Sequence, residues 1–254
     1  MSIDELLFQL LGDDPHQLMP DFRQWLSDSR RFRTFAEQYQ TKIRAKLRSA
    51  GDDESLQDLL FELAVARWLL QEKRFQLAYE RQALRTAPSP DFTVSFTTKA
   101  SFHVEVTRIR ATGGEEAGAE ETTLSPQELY QRKLLYVIAG KLDQMQTGAS
   151  NLLLIGLAPD WAASINVDEI MRQMKLRMES SEPSLFAQSR LRTPGEFFKH
   201  YYALSGILFY FVPGPTCAGA TPTPPFLWRN KEAKYPLLTQ VQTILRQLPP
   251  NPIG

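Results

Sequence analysis

Pro90–Arg110 reads PDFTVSFTTKASFHVEVTRIR, and it alternates apolar and polar residues on both sides of a short turn. Phe92, Val94 and Phe96 alternate with Asp91, Thr93 and Ser95, while Phe102, Val104 and Val106 alternate with His103, Glu105 and Thr107. A period of two on either side of a turn predicts a half-buried hairpin. In any even register about the Thr97–Ser101 turn, the two polar sets share one face. Asp91 and Glu105 then meet over an apolar backing, an arrangement suited to a metal ion. Glu105 is expected opposite Thr93, mid-strand and with no cation in the hairpin to balance it.

The flanking sequence supplies a frame. A helix over Ser55–Glu72, carrying Glu62, and a strand over Phe75–Ala83 are expected before the hairpin. A long helix over Ser125–Thr147 and an apolar strand, Asn151–Leu157, are expected after it. Pro90-Asp91, a strand, then Glu105-Val106-Thr107 resembles the motif of the PD-(D/E)XK nuclease superfamily, with Thr107 where the motif has lysine. The resemblance covers residues 55–158. It implies a restriction-endonuclease-like α/β fold with an α-β-β-β-α-β core and a mixed sheet flanked by helices. Residues 1–54 then form an N-terminal helical region, and 159–254 a C-terminal extension packed on the core.

What the resemblance implies about chemistry is hydrolysis of phosphodiester bonds in nucleic acid, dependent on Mg²⁺ or Mn²⁺. Asp91 and Glu105 are the expected metal ligands, since both ions favour carboxylate oxygens. Glu62 lies in LLFELAVARWLL, where only it and Arg67 are charged, so the helix is expected to be buried nearly all round. A lone buried carboxylate is costly unless compensated. Glu62 is therefore expected to face the hairpin's polar side and help place the metal, to pair with Arg67 or another arginine, or to be exposed on a narrow polar strip.

Thr107 can donate a hydrogen bond but carries no charge, so the catalytic set of Glu62, Asp91, Glu105 and Thr107 needs a cation from elsewhere. The long helix offers Lys133 and Lys141. About 100° per residue puts Lys133 within roughly 20° of Gln144 and Lys141 about 60° from it. Lys141 is taken as the substitute, with Lys133 as the alternative. His103 shares the polar face and is secondary. The rival account keeps the fold without the chemistry: a silent nuclease-fold module that binds nucleic acid or a protein.

Composition narrows the rest. The chain has 254 residues with 43% hydrophobic and 23% charged content and zero formal net charge. No apolar run approaches the ~18 residues of a membrane span. The start, MSIDELLFQLLGDD, lacks the basic segment of a signal peptide. Cys217 is the only cysteine, which excludes an intrachain disulfide and a cysteine-based metal cluster. The expected location is the cytoplasm, and the expected partners are nucleic acid, DNA ahead of RNA, with a homodimer allowed and no membrane.

Charge distribution is uneven. Arg30, Arg31, Arg33, Lys42, Arg44, Lys46 and Arg48 accompany one acid, Glu37, across a helical region expected over about residues 20–49. A solvated face is the simpler account, and a phosphate-contacting surface the other. Glu115, Glu116, Glu120 and Glu121 are expected in a loop. Past Pro159 the pattern predicts a helix over Val167–Glu179, a buried strand over Ile207–Val212 and a short helix within Gln240–Leu248. Trp228, Arg229 and Asn230 are expected to dock the C-terminal segment.

Overall fold

A computed structural model describes residues 1–12, 19–80, 89–98, 100–110, 125–158, 165–180, 191–211 and 223–250. The acidic segment, Lys99, Cys217 and the ends of the strands expected to reach Ala83 and Val212 lie outside these residues. Among the described residues the chain is α/β, with nine helices and one open mixed sheet of six strands.

Helices α1 (Ile3–Leu11), α2 (Met19–Asp28), α3 (Arg30–Gln38) and α4 (Gln40–Ser49) come first. The helical region expected over residues 20–49 is thus three helices. Ser29 ends one segment and caps the next, its hydroxyl accepting the Phe32 N–H. Helix α5 (Asp53–Leu69) follows, capped by Asp52. Strands β1 (Gln76–Tyr79), β2 (Phe92–Thr97) and β3 (Ala100–Arg108) form an antiparallel meander. Helix α6 (Pro126–Leu142) crosses to β4 (Ser150–Leu157), which runs parallel to β3.

Residues after 158 complete the same sheet. Helices α7 (Val167–Glu179) and α8 (Pro194–Tyr201) lead to β5 (Leu204–Phe211), parallel to β4. The short β6 (Phe226–Arg229) closes the sheet antiparallel to β5, and α9 (Thr239–Gln247) follows. Asn230 anchors the end of β6: its buried Nδ2 donates to the carbonyls of Tyr201 and Leu204, each at 2.9 Å. Trp228 donates its ring N–H to Asp168 at 2.8 Å.

Two apolar layers sandwich the sheet. Phe92, Val94, Phe96, Phe102, Val104 and Val106 belong to the layer built with α1–α5, as do Leu152 and Leu154 of β4. Leu153, Ile155 and Leu157 face the other way, into the layer of α6, α7 and α8. β4 is therefore apolar from Leu152 to Leu157, because both of its faces are covered. Helix α5 lies between the sheet and the other N-terminal helices, which explains its lack of a polar stripe. Gly156 lets α5 approach closely: a Cβ there would fall 2.6 Å from the buried Phe61 ring.

Candidate metal centre

The hairpin register is even, with Phe92 opposite Val104 and Val94 opposite Phe102. Thr93 therefore faces His103, not Glu105, and the two are joined through Oγ1 and Nδ1 at 3.2 Å. Carried one step further, the register sets Asp91 beside Glu105, and the Val106 N–H donates to Asp91 Oδ2 at 2.8 Å. Glu105, 7% exposed, lies in register with Leu153 and so faces the α6 layer. The side chain of Thr107 leaves on that face too, two residues on and half-buried.

The cation expected from the long helix is Lys141, whose Nζ lies 2.9 Å from Glu105 Oε1. With its amide nitrogen toward the carboxylate, Gln144 donates to Glu105 as well, at 3.2 Å to Oε2. Gln144 lies past the end of α6, so the angles reckoned from a continuous helix do not apply to it. Lys133, eight residues earlier, is displaced roughly 12 Å along the axis from Lys141.

Glu62 comes from the opposite side of the sheet, on α5, and is 9% exposed. Its partner is not an arginine. Lys46 of α4 donates to both Glu62 oxygens at 2.9 and 3.0 Å, whereas Arg67 lies 3.5 Å from Asp28. Lys46 also contacts the Glu80 carboxylate, and its ammonium stands 4.9 Å from the Tyr79 ring centroid. One oxygen each from Glu62, Glu80 and Asp91 fall within 4.8 Å of one another. The acidic cluster is thus wider than the Asp91–Glu105 pair: Asp91 is shared, with Glu105 and Lys141 on one flank and Glu62, Glu80 and Lys46 on the other.

Glu80 is the residue that sequence reasoning missed. It follows β1 directly and has φ 39°, in the left-handed region that non-glycine residues seldom occupy. Hydrogen bonds hold it there: its N–H donates to the Asp91 carbonyl at 2.8 Å, and Lys42 Nζ donates to its own carbonyl at 2.8 Å. Lys42 and Lys46 show that part of the basic stretch is directed inward. Arg31 is likewise inward, donating to the carbonyls of Leu70, Glu72 and Phe75. The only available signal was the spacing of Lys42 and Lys46, one turn apart on α4.

Crowded, buried carboxylates resist ionisation. Burial first, and then the Asp91 charge, push the Glu62 carboxyl up to about 7, with Lys46 opposing. Burial and Asp91 likewise push Glu105 up to about 7 against the pull of Lys141. Asp91 is also raised by burial, although the Val106 N–H and both lysines work the other way. Burial tends to lower Lys46, but Glu62 and Glu80 outweigh it and hold the ammonium above its ordinary value. Burial and the Glu62 carboxylate keep the Tyr79 phenol protonated. Its hydroxyl makes no well-aligned hydrogen bond.

These donors fit a hard divalent ion. Glu62, Glu80, Asp91 and Glu105 offer only oxygen, as Mg²⁺ and Mn²⁺ prefer. Two ammonium groups already draw in where the negative charge concentrates. No family model, curated protein or solved structure matches the chain.

Proposed function

We propose that this protein is a Mg²⁺- or Mn²⁺-dependent phosphodiesterase acting on nucleic acid, with a core like that of the PD-(D/E)XK nucleases. The observation that carries the reading is the Lys141–Glu105 pair beside Asp91. A cation from α6 contacts Glu105 and would take over the work of the motif's lysine, which Thr107 replaces. The order α5-β1-β2-β3-α6-β4, with an antiparallel meander and a fourth strand parallel to the third, supports the same reading.

Asp91, Glu62 and Glu80 would hold the ion, and Glu105 would join them from the β3 side. When bound, a divalent ion lowers the pKa of a coordinated water and offsets charge on the transferring phosphoryl oxygens. The Val106 N–H fixes one Asp91 oxygen and so sets the carboxylate's orientation. Lys141, beside Glu105, would supply a positive charge to offset the charge that develops during in-line displacement. Gln144 would give Glu105 a second hydrogen bond beside that of Lys141. Thr107 adds a neutral hydroxyl on the same face.

One observation favours the silent-module alternative: Lys46 and Lys141 already neutralise two of the carboxylates without any ion. A cleavage assay separates the two readings. Single- and double-stranded DNA and RNA are incubated with Mg²⁺ or Mn²⁺ and the purified protein or its Glu105→Gln variant. Metal-dependent cleavage lost in the variant supports the enzyme. Substrate binding without cleavage under every condition supports the silent module.

A further inference from the structure

Lys46 reaches the carboxylates from α4, outside the hairpin and its two flanking helices, and the proposed reaction does not use it. Its ammonium donates to both oxygens of Glu62 and also contacts Glu80. Those are two of the three residues whose carboxylate oxygens converge within 4.8 Å. The ammonium therefore engages the very oxygens a divalent ion would need. Lys42, one turn earlier, differs. It donates to the carbonyls of Tyr79 and Glu80 at 3.0 and 2.8 Å and lies 3.5 Å from the Glu80 carboxylate. It fastens the end of β1, whereas Lys46 is committed to side-chain charge. Lys46 keeps partial solvent access, with 29% of its side chain exposed, so it has a way out.

We propose that Lys46 is a tethered counter-ion, neutralising Glu62 and Glu80 in the ion-free protein and displaced when Mg²⁺ or Mn²⁺ binds. The proposal rests on reading the cluster as a metal centre. An ammonium and a dication compete for the same carboxylate oxygens, because they repel one another at such short range. A compact ammonium on a flexible stem suits this exchange better than a planar guanidinium would. Metal affinity is then set by competition with a group the chain itself carries. The displaced ammonium remains within a side chain's length of the centre, where a phosphate would arrive.

The test is calorimetric titration of Mn²⁺ into the wild-type protein, Lys46→Gln and Lys42→Gln at one fixed pH. Loss of the competitor should tighten binding by about tenfold or more in Lys46→Gln, and by less than about threefold in Lys42→Gln. Unchanged or weaker affinity in Lys46→Gln, beside a wild type that binds, overturns the proposal and leaves the metal centre standing. Equal gains in both lysine variants also overturn it, since they mark a general charge effect. No Mn²⁺ binding in any of the three brings down the metal centre as well. Should Lys46→Gln not fold, reductive methylation of the wild type decides. Labelling of Lys46 relative to Lys42 should rise on adding Mg²⁺, and a constant or falling ratio overturns the exchange.

Discussion

Lys141 Nζ lies 2.9 Å from Glu105 Oε1 and thereby brings to β3 the positive charge that Thr107, two residues further on, does not carry. The pair joins α6 to the strand that α6 crosses over, so the cation's position depends on that crossover and not on the local sequence.

Lys141→Ala should lower single-turnover cleavage by about 100-fold or more while changing Mn²⁺ affinity only a few-fold. A cation that acts on developing charge affects the rate more than ground-state binding. Adding Thr107→Lys to Lys141→Ala should recover part of the loss. Equal effects on cleavage and on metal affinity would show instead that Lys141 only shapes the site.

Much of this was legible because it is local. The alternation in residues 90–110 gives the hairpin and its register, since a slip of one residue would turn Phe92 and Val104 to the wrong face. Lys141 was within reach of sequence reasoning because α6 is a single long helix ahead of β4. Glu80 and Lys46 were not. They meet only when α4 packs over the end of β1, and nothing in the residues after Tyr79 signals a positive φ at Glu80. The wheel angle to Gln144 failed for a simpler reason: the helix stops at Leu142. α8 went unread although Thr193 caps it, its hydroxyl accepting the Glu196 N–H. β6 has four residues, too few for a period to show.

The raised carboxyls fix the direction of a pH effect on stability. Glu62 and Glu105 titrate near 4.5 when unfolded and near 7 when folded and metal-free. Folding therefore favours their protonated forms, and that contribution is complete below about 4.5 and lost as pH rises through about 7. A rise of this size amounts to roughly 3 kcal/mol for one group taken alone. In chelator, denaturant unfolding should show lower stability at about pH 8 than at about pH 5, and Glu62→Gln should flatten the difference. Stability rising with pH across that window would count against the buried, crowded cluster.

Asn151 is expected to support the site from a distance. It is 2% exposed, its Nδ2 donates to the carbonyls of Gln146, Ala149 and Ala203, and its Oδ1 accepts the Gln146 N–H. It thus fastens the turn that carries Gln144. Asn151→Ala leaves several buried groups unpaired and should cost about 2–4 kcal/mol in urea unfolding. A cost under about 0.5 kcal/mol would show that the turn holds itself.

Glu80 separates the cluster read from sequence from the one seen in the fold. Glu80→Gln should weaken Mn²⁺ binding at least as much as Glu105→Gln, because Glu80 shares the tighter carboxylate group with Glu62 and Asp91. Calorimetry on both variants checks this. A loss confined to Glu105→Gln would return the site to the Asp91–Glu105 pair.

Asp91 belongs to both flanks of the cluster, so Mn²⁺ titration of wild type and Asp91→Asn above the raised carboxyl values tests the account most directly. The wild type should bind the ion, and Asp91→Asn should bind at least about 30-fold more weakly with its fold intact. Equal affinity in the two proteins, or no binding by the wild type, would contradict a metal centre at these carboxylates.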